Sequence, residues 1–301
     1  MRSCFLSGVL VLVSILCHSQ DSLKILSWNI QMLPRGINHN GKAKRAKIIA
    51  EQLKYSPYDV VVFQELFYRR SRRIIAKELQ SEFPAQTNVL NKKSIALKTN
   101  GGVMIFSRHP IKEVREIRFN DRSGPDRLSR KGAMLAEIEV KGKPIHVIGT
   151  HLQAFGMQET MYNQYQQLYD ELLKAYSKNG IPQLICGDFN TIKTLPKNIP
   201  DNLPKNFEQR IAKYETMLQT LQASDGELDG EQQFTMDLPN NDLCKKRKEF
   251  RLQLDYFLFR PMTSNLTIAK RRVQIIRYPW RNGNKDLSDH FALEAIMKIL
   301  Q

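Results

Sequence analysis

A chain of 301 residues is too long for a minimal core and suits one large α/β domain. Its 46 Lys and Arg outnumber 30 Asp and Glu, a formal charge of +16 that favours a polyanion or an anionic membrane surface as partner. Four Cys in a chain of this size exclude a disulfide-stapled miniature scaffold. Residues 1–20 read as a secretory signal: Arg2 gives a positive start, an uncharged apolar run follows to Leu16, and Cys17-His18-Ser19 offers small residues near a cut. The run is too short to span a bilayer, and no later stretch is apolar enough to do so. Losing Arg2 leaves 46 − 1 = 45 basic against 30 acidic residues, or +15, in a mature domain of 21–301. Only Cys186 and Cys244 remain. One sits in a presumed core strand and the other in a basic loop, so no bridge between them is expected.

Strands and helices then alternate. A short strand over 23–27 runs into Trp28-Asn29, and 42–55 forms a helix with Ala46, Ile49 and Leu53 on one face. The buried strand Val60-Val61-Val62-Phe63 ends at Gln64-Glu65. A basic amphipathic helix over 69–83 follows and is stopped by Pro84. Strands are expected over 101–107, 134–140 and 145–149, the last ending at Thr150-His151. The clearest helix covers 160–178, with Tyr165, Leu168, Leu172 and Tyr176 along one stripe. Gln183-Leu184-Ile185-Cys186 is an apolar strand that runs into Gly187-Asp188-Phe189-Asn190. A helix over 207–221, a strand over 252–259 containing Asp255, and a final strand over 291–299 complete the chain. The segments 120–131 and 194–205 read as loops. With no linker or repeat, the mature chain is one domain of mixed sheets covered by helices.

Several strands therefore end in residues that can do chemistry: Asn29, Glu65, His151, Asp188 with Asn190, and Asp289-His290. Singly, each has an ordinary explanation as a surface carboxylate, a loop histidine or a cap. Together they form one set suited to a hard metal and a phosphate, and open α/β sheets gather ligands at strand ends. Asp188 and Asn190 lie two apart and share a face in extended chain, while Gly187 permits a close backbone approach. Glu65 is an anionic oxygen ligand suited to Mg²⁺. His290 suits a general base for water. Its second ring nitrogen needs a carboxylate: Asp289 is adjacent but faces the other way, and Asp255 on the preceding strand is better placed. No activated Ser or Cys, zinc set or Gly-rich nucleotide loop appears. The expected reaction is metal-assisted attack of water on a phosphate ester.

Trp28-Asn29, Phe63-Gln64-Glu65, Gly149-Thr150-His151, Gly187-Asp188-Phe189-Asn190 and Ser288-Asp289-His290 resemble the motifs of the endonuclease/exonuclease/phosphatase superfamily, across almost the whole mature chain. The resemblance implies an α/β, four-layer DNase I-like sandwich of two mixed β-sheets flanked by helices. It implies that Glu65, with Asn29 nearby, serves an Mg²⁺ site at which Mn²⁺ or Co²⁺ can substitute. By the same resemblance His290 is the base, Asp255 its partner, Asn190 and His151 contact the phosphate, Asp188 positions the reacting groups, and Asp289 belongs to the motif in a less defined role. The stretch Ser123-Gly124-Pro125-Asp126-Arg127-Leu128-Ser129-Arg130-Lys131-Gly132, with Val147-Ile148-Gly149-Thr150-His151-Leu152-Gln153-Ala154, is similar to bacterial sphingomyelinase C, the secreted hemolysin type. That likeness implies cleavage of sphingomyelin to ceramide and phosphocholine at a membrane surface by a secreted monomer needing no protein partner, with Asp126 near the substrate.

The chain also departs from that pattern. Ser123 stands where those hemolysins carry a disulfide Cys, and their long aromatic hairpin is represented by a shorter segment, 278–287, with one Trp. Within Arg277-Tyr278-Pro279-Trp280-Arg281, an aromatic pair between two Arg fits a membrane interface bordering the cleft, and equally a packed loop in which Trp280 covers a sheet edge. The rival readings are a secreted nuclease of the same fold, which the basic charge suits, and a binding protein that has lost catalysis, which the intact residue set opposes. An inositol-phosphate phosphatase is weaker, because Ile192 stands where an Arg is expected.

Overall fold

The computed structural model describes residues 22–38, 40–92, 99–154, 158–177, 180–193, 214–244, 250–262 and 266–299. The leader 1–20, the loop 194–205 and the first half of the helix expected over 207–221 lie outside them.

The first half of the chain runs β1 (Ser22–Met32), α1 (Lys42–Lys54), β2 (Val60–Leu66), α2 (Arg69–Glu78), β3 (Ala85–Gln86), β4 (Met104–Ser107), β5 (Ile111–Arg118) and β6 (Gly132–Val140). Then come β7 (Lys143–His151), α3 (Gln158–Leu168), β8 (Gln183–Asp188), α4 (Tyr214–Leu221), β9 (Met236–Asp237), β10 (Arg251–Leu252) and β11 (Asp255–Arg260). The chain closes with β12 (Leu266–Gln274), β13 (Arg277–Arg281), β14 (Asn284–Asp286) and β15 (Ala292–Ile299). One six-stranded sheet has the order β12-β15-β1-β2-β4-β3, and a five-stranded sheet the order β11-β8-β7-β6-β5. Both are mixed, since β1–β2 and β7–β8 are parallel and their other pairs antiparallel.

Side-chain alternation explains the layering. On β2, Val60 and Val62 face the opposite sheet, where they meet Met134, Val147, Cys186 and Phe257. Val61 and Phe63 face the other way, onto Ile49 and Leu53 of α1 and Ile75 of α2. The outer face of the second sheet, with Leu135, Ile148, Ile185 and Leu258, packs on Tyr165 of α3 and Leu221 of α4. The result is helix, sheet, sheet, helix, as expected. Gly149 is required at the middle: a Cβ there would lie 2.8 Å from Val62 on the opposing sheet.

The structure corrects several boundaries. The helix expected over 160–178 is α only to Leu168, then widens to a π-helical turn over Tyr169–Lys174. The helix expected to 83 leaves α geometry at Glu78. The expected loop 120–131 contains a 3₁₀ turn, Gly124–Leu128. β5 and β12 were not expected: each lies at a sheet edge and carries charged side chains that obscure a strand pattern. Cys186 and Cys244 are both free.

Candidate active site

Register brings the polar strand ends together. Asp188 pairs with Asp255 of β11 on one side and His151 of β7 on the other, so cross-strand neighbours form one row. Gly187 (φ 145°) allows this approach, because a Cβ would meet the Thr150 carbonyl oxygen at 2.0 Å. The close approach is made by a neighbouring strand's backbone. The first sheet contributes Asn29, whose amide donates to Asp188 Oδ2 at 3.0 Å, and Glu65, the penultimate residue of β2. Glu65 and Asn190 both adopt left-handed backbone, φ 56° and 50°, as do many residues held at functional sites.

Asp188 is the hub. Its Oδ1 accepts from the Asn190 N–H at 3.0 Å, and its Oδ2 lies 3.6 Å from His151 Nε2 and 3.9 Å from His290 Nε2. On its far side, His290 Nδ1 is 2.8 Å from Asp255 Oδ2, so Asp255 is the carboxylate that orients the imidazole. Asp289 points elsewhere: its carboxylate accepts from Gln31 Nε2. The Ser288-Asp289-His290 bend and the strand beside it are held by five further bonds. Trp28 Nε1 donates to the His290 carbonyl, Ser288 Oγ donates to the Asn29 carbonyl, and fully buried Arg45 donates to Leu287 O, Ile30 O and Gln31 O.

Burial and crowding set the charges. Burial, then the neighbouring Asp289, pushes the Glu65 carboxyl up to about 7. Burial, then Asp255, pushes Asp188 up to about 6. Burial opposes a charged His290, yet Asp255 and Asp188 overcome it and hold the proton well above the ordinary histidine range. His151 goes the other way, lowered by burial and then by Lys131 and His290.

The Glu65 carboxylate accepts no hydrogen bond from any described residue, and His151 Nε2 lies 4.0 Å from its Oε1. A carboxylate raised by burial and by Asp289, without a side-chain partner among the described residues and close to the Asn29 amide, belongs to a hard-oxygen set that fits a divalent cation. Asp188, Asp255 and His290 also present ligand atoms within 4.8 Å of one another. The Asp255–His290 bond already commits two of these side chains to each other, an arrangement suited to proton handling.

Sequence reasoning passed over Lys131. Its ammonium is 2 % exposed and reaches Asp126 Oδ2 at 3.0 Å, His151 Nε2 at 3.0 Å and the Leu152 carbonyl at 2.9 Å. Because the ammonium can only donate, His151 Nε2 accepts, and the positive charge at this corner belongs to Lys131. Asp126 is committed to Lys131 and to the Ala154 N–H, so it anchors the loop that carries Lys131. The one signal was position: Lys131 directly precedes Gly132 at the start of β6.

Trp280 is not an exposed anchor. It is 4 % exposed, donates from Nε1 to the Asp286 carbonyl at 2.9 Å, and packs on Gly41 and Arg45. The packed alternative holds, and β13–β14 is a short hairpin with Tyr278 outward.

The endonuclease/exonuclease/phosphatase family model matches residues 26–290. The chain belongs to this family. Among relatives, it is 37 % identical over 194 residues to a sphingomyelinase C of Leptospira interrogans and 30 % identical over 227 residues to one of Bacillus cereus. These matches cover 57 % and 69 % of this chain but 31 % and 65 % of the relatives, so the chain spans about a third of the first and just under two thirds of the second. A beta toxin of Staphylococcus aureus, solved with bound magnesium ions, superposes with a TM-score of 0.77 at 26 % identity, covering 93 % of this chain and all of that one. Family membership fits both the α/β/β/α layering and the placement of the cleft at the strand ends.

Proposed function

We propose that the chain is a metal-dependent phosphodiesterase of 21–301 that hydrolyses sphingomyelin to ceramide and phosphocholine. The observation that carries this reading is the Asp255–His290 pair facing Asp188, beside the Glu65 carboxylate, in a family member similar to sphingomyelinases C. When bound at Glu65 with Asn29 and Asp289 nearby, Mg²⁺ supplies charge neutralisation of the phosphate and stabilises the leaving oxygen; Mn²⁺ or Co²⁺ can fill the same oxygen set. His290 Nε2 takes the proton of the attacking water, and Asp255 holds the Nδ1–H and stabilises the imidazolium. His290 acts as base in its neutral form, above the raised pKa that Asp255 and Asp188 impose on it. Asn190 donates to the phosphate oxygens, Lys131, held by Asp126, His151 and the Leu152 carbonyl, supplies positive charge behind them, and Asp188 holds Asn29 and Asn190 in place. Export rests on the leader 1–20. Among the described residues no helix is long and apolar enough to cross a membrane.

The charge of +16 favours a second reading, a nuclease using the same residues. Parallel assays on sphingomyelin vesicles and plasmid DNA decide: phosphocholine release with intact plasmid supports the first reading, and nicked plasmid without phosphocholine overturns it.

A further inference from the structure

With Trp280 buried, the cleft needs another way to meet a bilayer, and the start of α2 offers one. The helix opens Arg69-Arg70-Ser71-Arg72-Arg73, with no acidic residue in its first turn and no side-chain cap at Tyr68. Cations there oppose the positive end of the helix dipole, and Arg69 and Arg73 repel at i,i+4. Such an arrangement disfavours the isolated fold. Only Arg72 is used internally, donating to the Leu66 and Phe67 carbonyls. Arg69, Arg70 and Arg73 are exposed and make no ion pair or side-chain hydrogen bond with any described residue. With Arg35 and Tyr68 they line one open groove, which begins two residues beyond Glu65 at Phe67 and therefore adjoins the cleft.

Large aliphatic side chains flank this groove. Ile37, two residues from Arg35, is 51 % exposed. Leu128 is 68 % exposed, and its carbonyl accepts from the N–H of Thr99, another groove residue. Guanidinium groups between outward aliphatics match the boundary of a bilayer, where phosphates lie above acyl chains. A nucleic acid partner uses the cations but gains little from exposed Ile and Leu.

We propose that Arg35, Arg69, Arg70 and Arg73, flanked by Ile37 and Leu128, form the face that docks the enzyme on anionic phospholipid headgroups, presenting the cleft to the membrane. The proposal rests on the lipid reading of the cleft, but its test is binding and can succeed or fail without turnover. Full-length mature protein is sedimented with vesicles of phosphatidylcholine and sphingomyelin, with and without phosphatidylserine. The wild type is expected to bind the phosphatidylserine vesicles more tightly, and the difference to shrink with salt. The triple variant Arg69→Gln/Arg70→Gln/Arg73→Gln is expected to lose about a hundredfold in affinity for them, while hydrolysing detergent-dispersed sphingomyelin at the wild-type rate. The double variant Ile37→Ser/Leu128→Ser is expected to weaken binding to both vesicle types. Unchanged vesicle binding by the triple variant overturns the proposal. So does loss of plasmid binding with vesicle binding intact, which assigns the groove to nucleic acid, or an equal loss on dispersed substrate, which assigns it to the cleft.

Discussion

At one end of β7 the chain reads Lys143, Pro144 and Ile145; at the other it reads Gly149, Thr150 and His151. The first end opens on an apolar hollow lined by Leu23, Val140, Ile145, Ile181, Leu266 and Ile299. The second gathers two imidazoles, four carboxylates and a buried ammonium. The same strands supply both ends and the same alternation buries the middle, so the difference comes from the last two or three residues of each strand. One end gains stability by removing apolar area from water, and the other opposes folding by crowding like charges. Glu65 and Asp188 are held up at about 7 and about 6 because burial and neighbouring carboxylates resist their ionisation. Function is concentrated where the fold is least comfortable.

Substitutions at the two ends should therefore separate activity from stability. His290→Ala is expected to lower turnover ~10²–10⁴-fold, the range for losing a general base, in a protein whose circular dichroism stays native. The wild-type rate should also rise with pH through the His290 titration, and a profile with no ascending limb would count against the base role.

Glu65→Gln is expected to remove nearly all activity and yet to relieve the metal-free fold. The folded pKa of Glu65 lies above the unfolded value, so its contribution is fully present below pH 4.5 and lost as pH rises through about 7. That loss amounts to at most about 3 kcal/mol. Metal-free wild type should melt lower at pH 8 than at pH 5, with Mg²⁺ restoring the difference. The Gln variant should show a smaller pH effect and little response to Mg²⁺. Equal Mg²⁺ stabilisation of both proteins would move the metal site elsewhere.

Lys131→Met should reduce kcat by about tenfold to a hundredfold, and Asp126→Asn, which keeps the ammonium, should reduce it less. If the two variants are equally impaired, the Lys131 charge is merely structural. At the apolar end, Ile145→Val should cost ~1 kcal/mol of stability and leave kcat/KM unchanged; a loss of activity in that folded variant would erase the division between the ends.

The apolar part of this division was legible in the sequence. Val60-Val61-Val62-Phe63 and Gln183-Leu184-Ile185-Cys186 read directly as buried strands, and α1 was expected over 42–55 against the observed Lys42–Lys54. Periodicity failed where charge or winding broke the pattern: at the edge strands β5 and β12, and at the π turn after Leu168. The strand-end residues were visible as a recurring set, and the better-placed Asp255 proved to be the partner of His290. Lys131 lay inside the Ser123–Gly132 likeness but received no role, because a lysine beside Arg130 looks solvated and only the packing of its loop on β7 buries it. Trp280 stood open between an interface and a packed loop, since an aromatic between arginines fits both until Gly41 and Arg45 are seen beneath it. The positive φ of Glu65 and Asn190 has no signature in residue type alone.

The central claim is metal-dependent cleavage of sphingomyelin at the Glu65–His290 cleft. Its most direct test is phosphocholine release from sphingomyelin vesicles by purified mature protein, first in Mg²⁺, then in excess chelator, then with Mg²⁺ restored. The account predicts release, its loss and its recovery, with none at any stage from the Glu65→Gln variant. Undiminished release in chelator, or no release in Mg²⁺ from a folded wild-type protein, would contradict it.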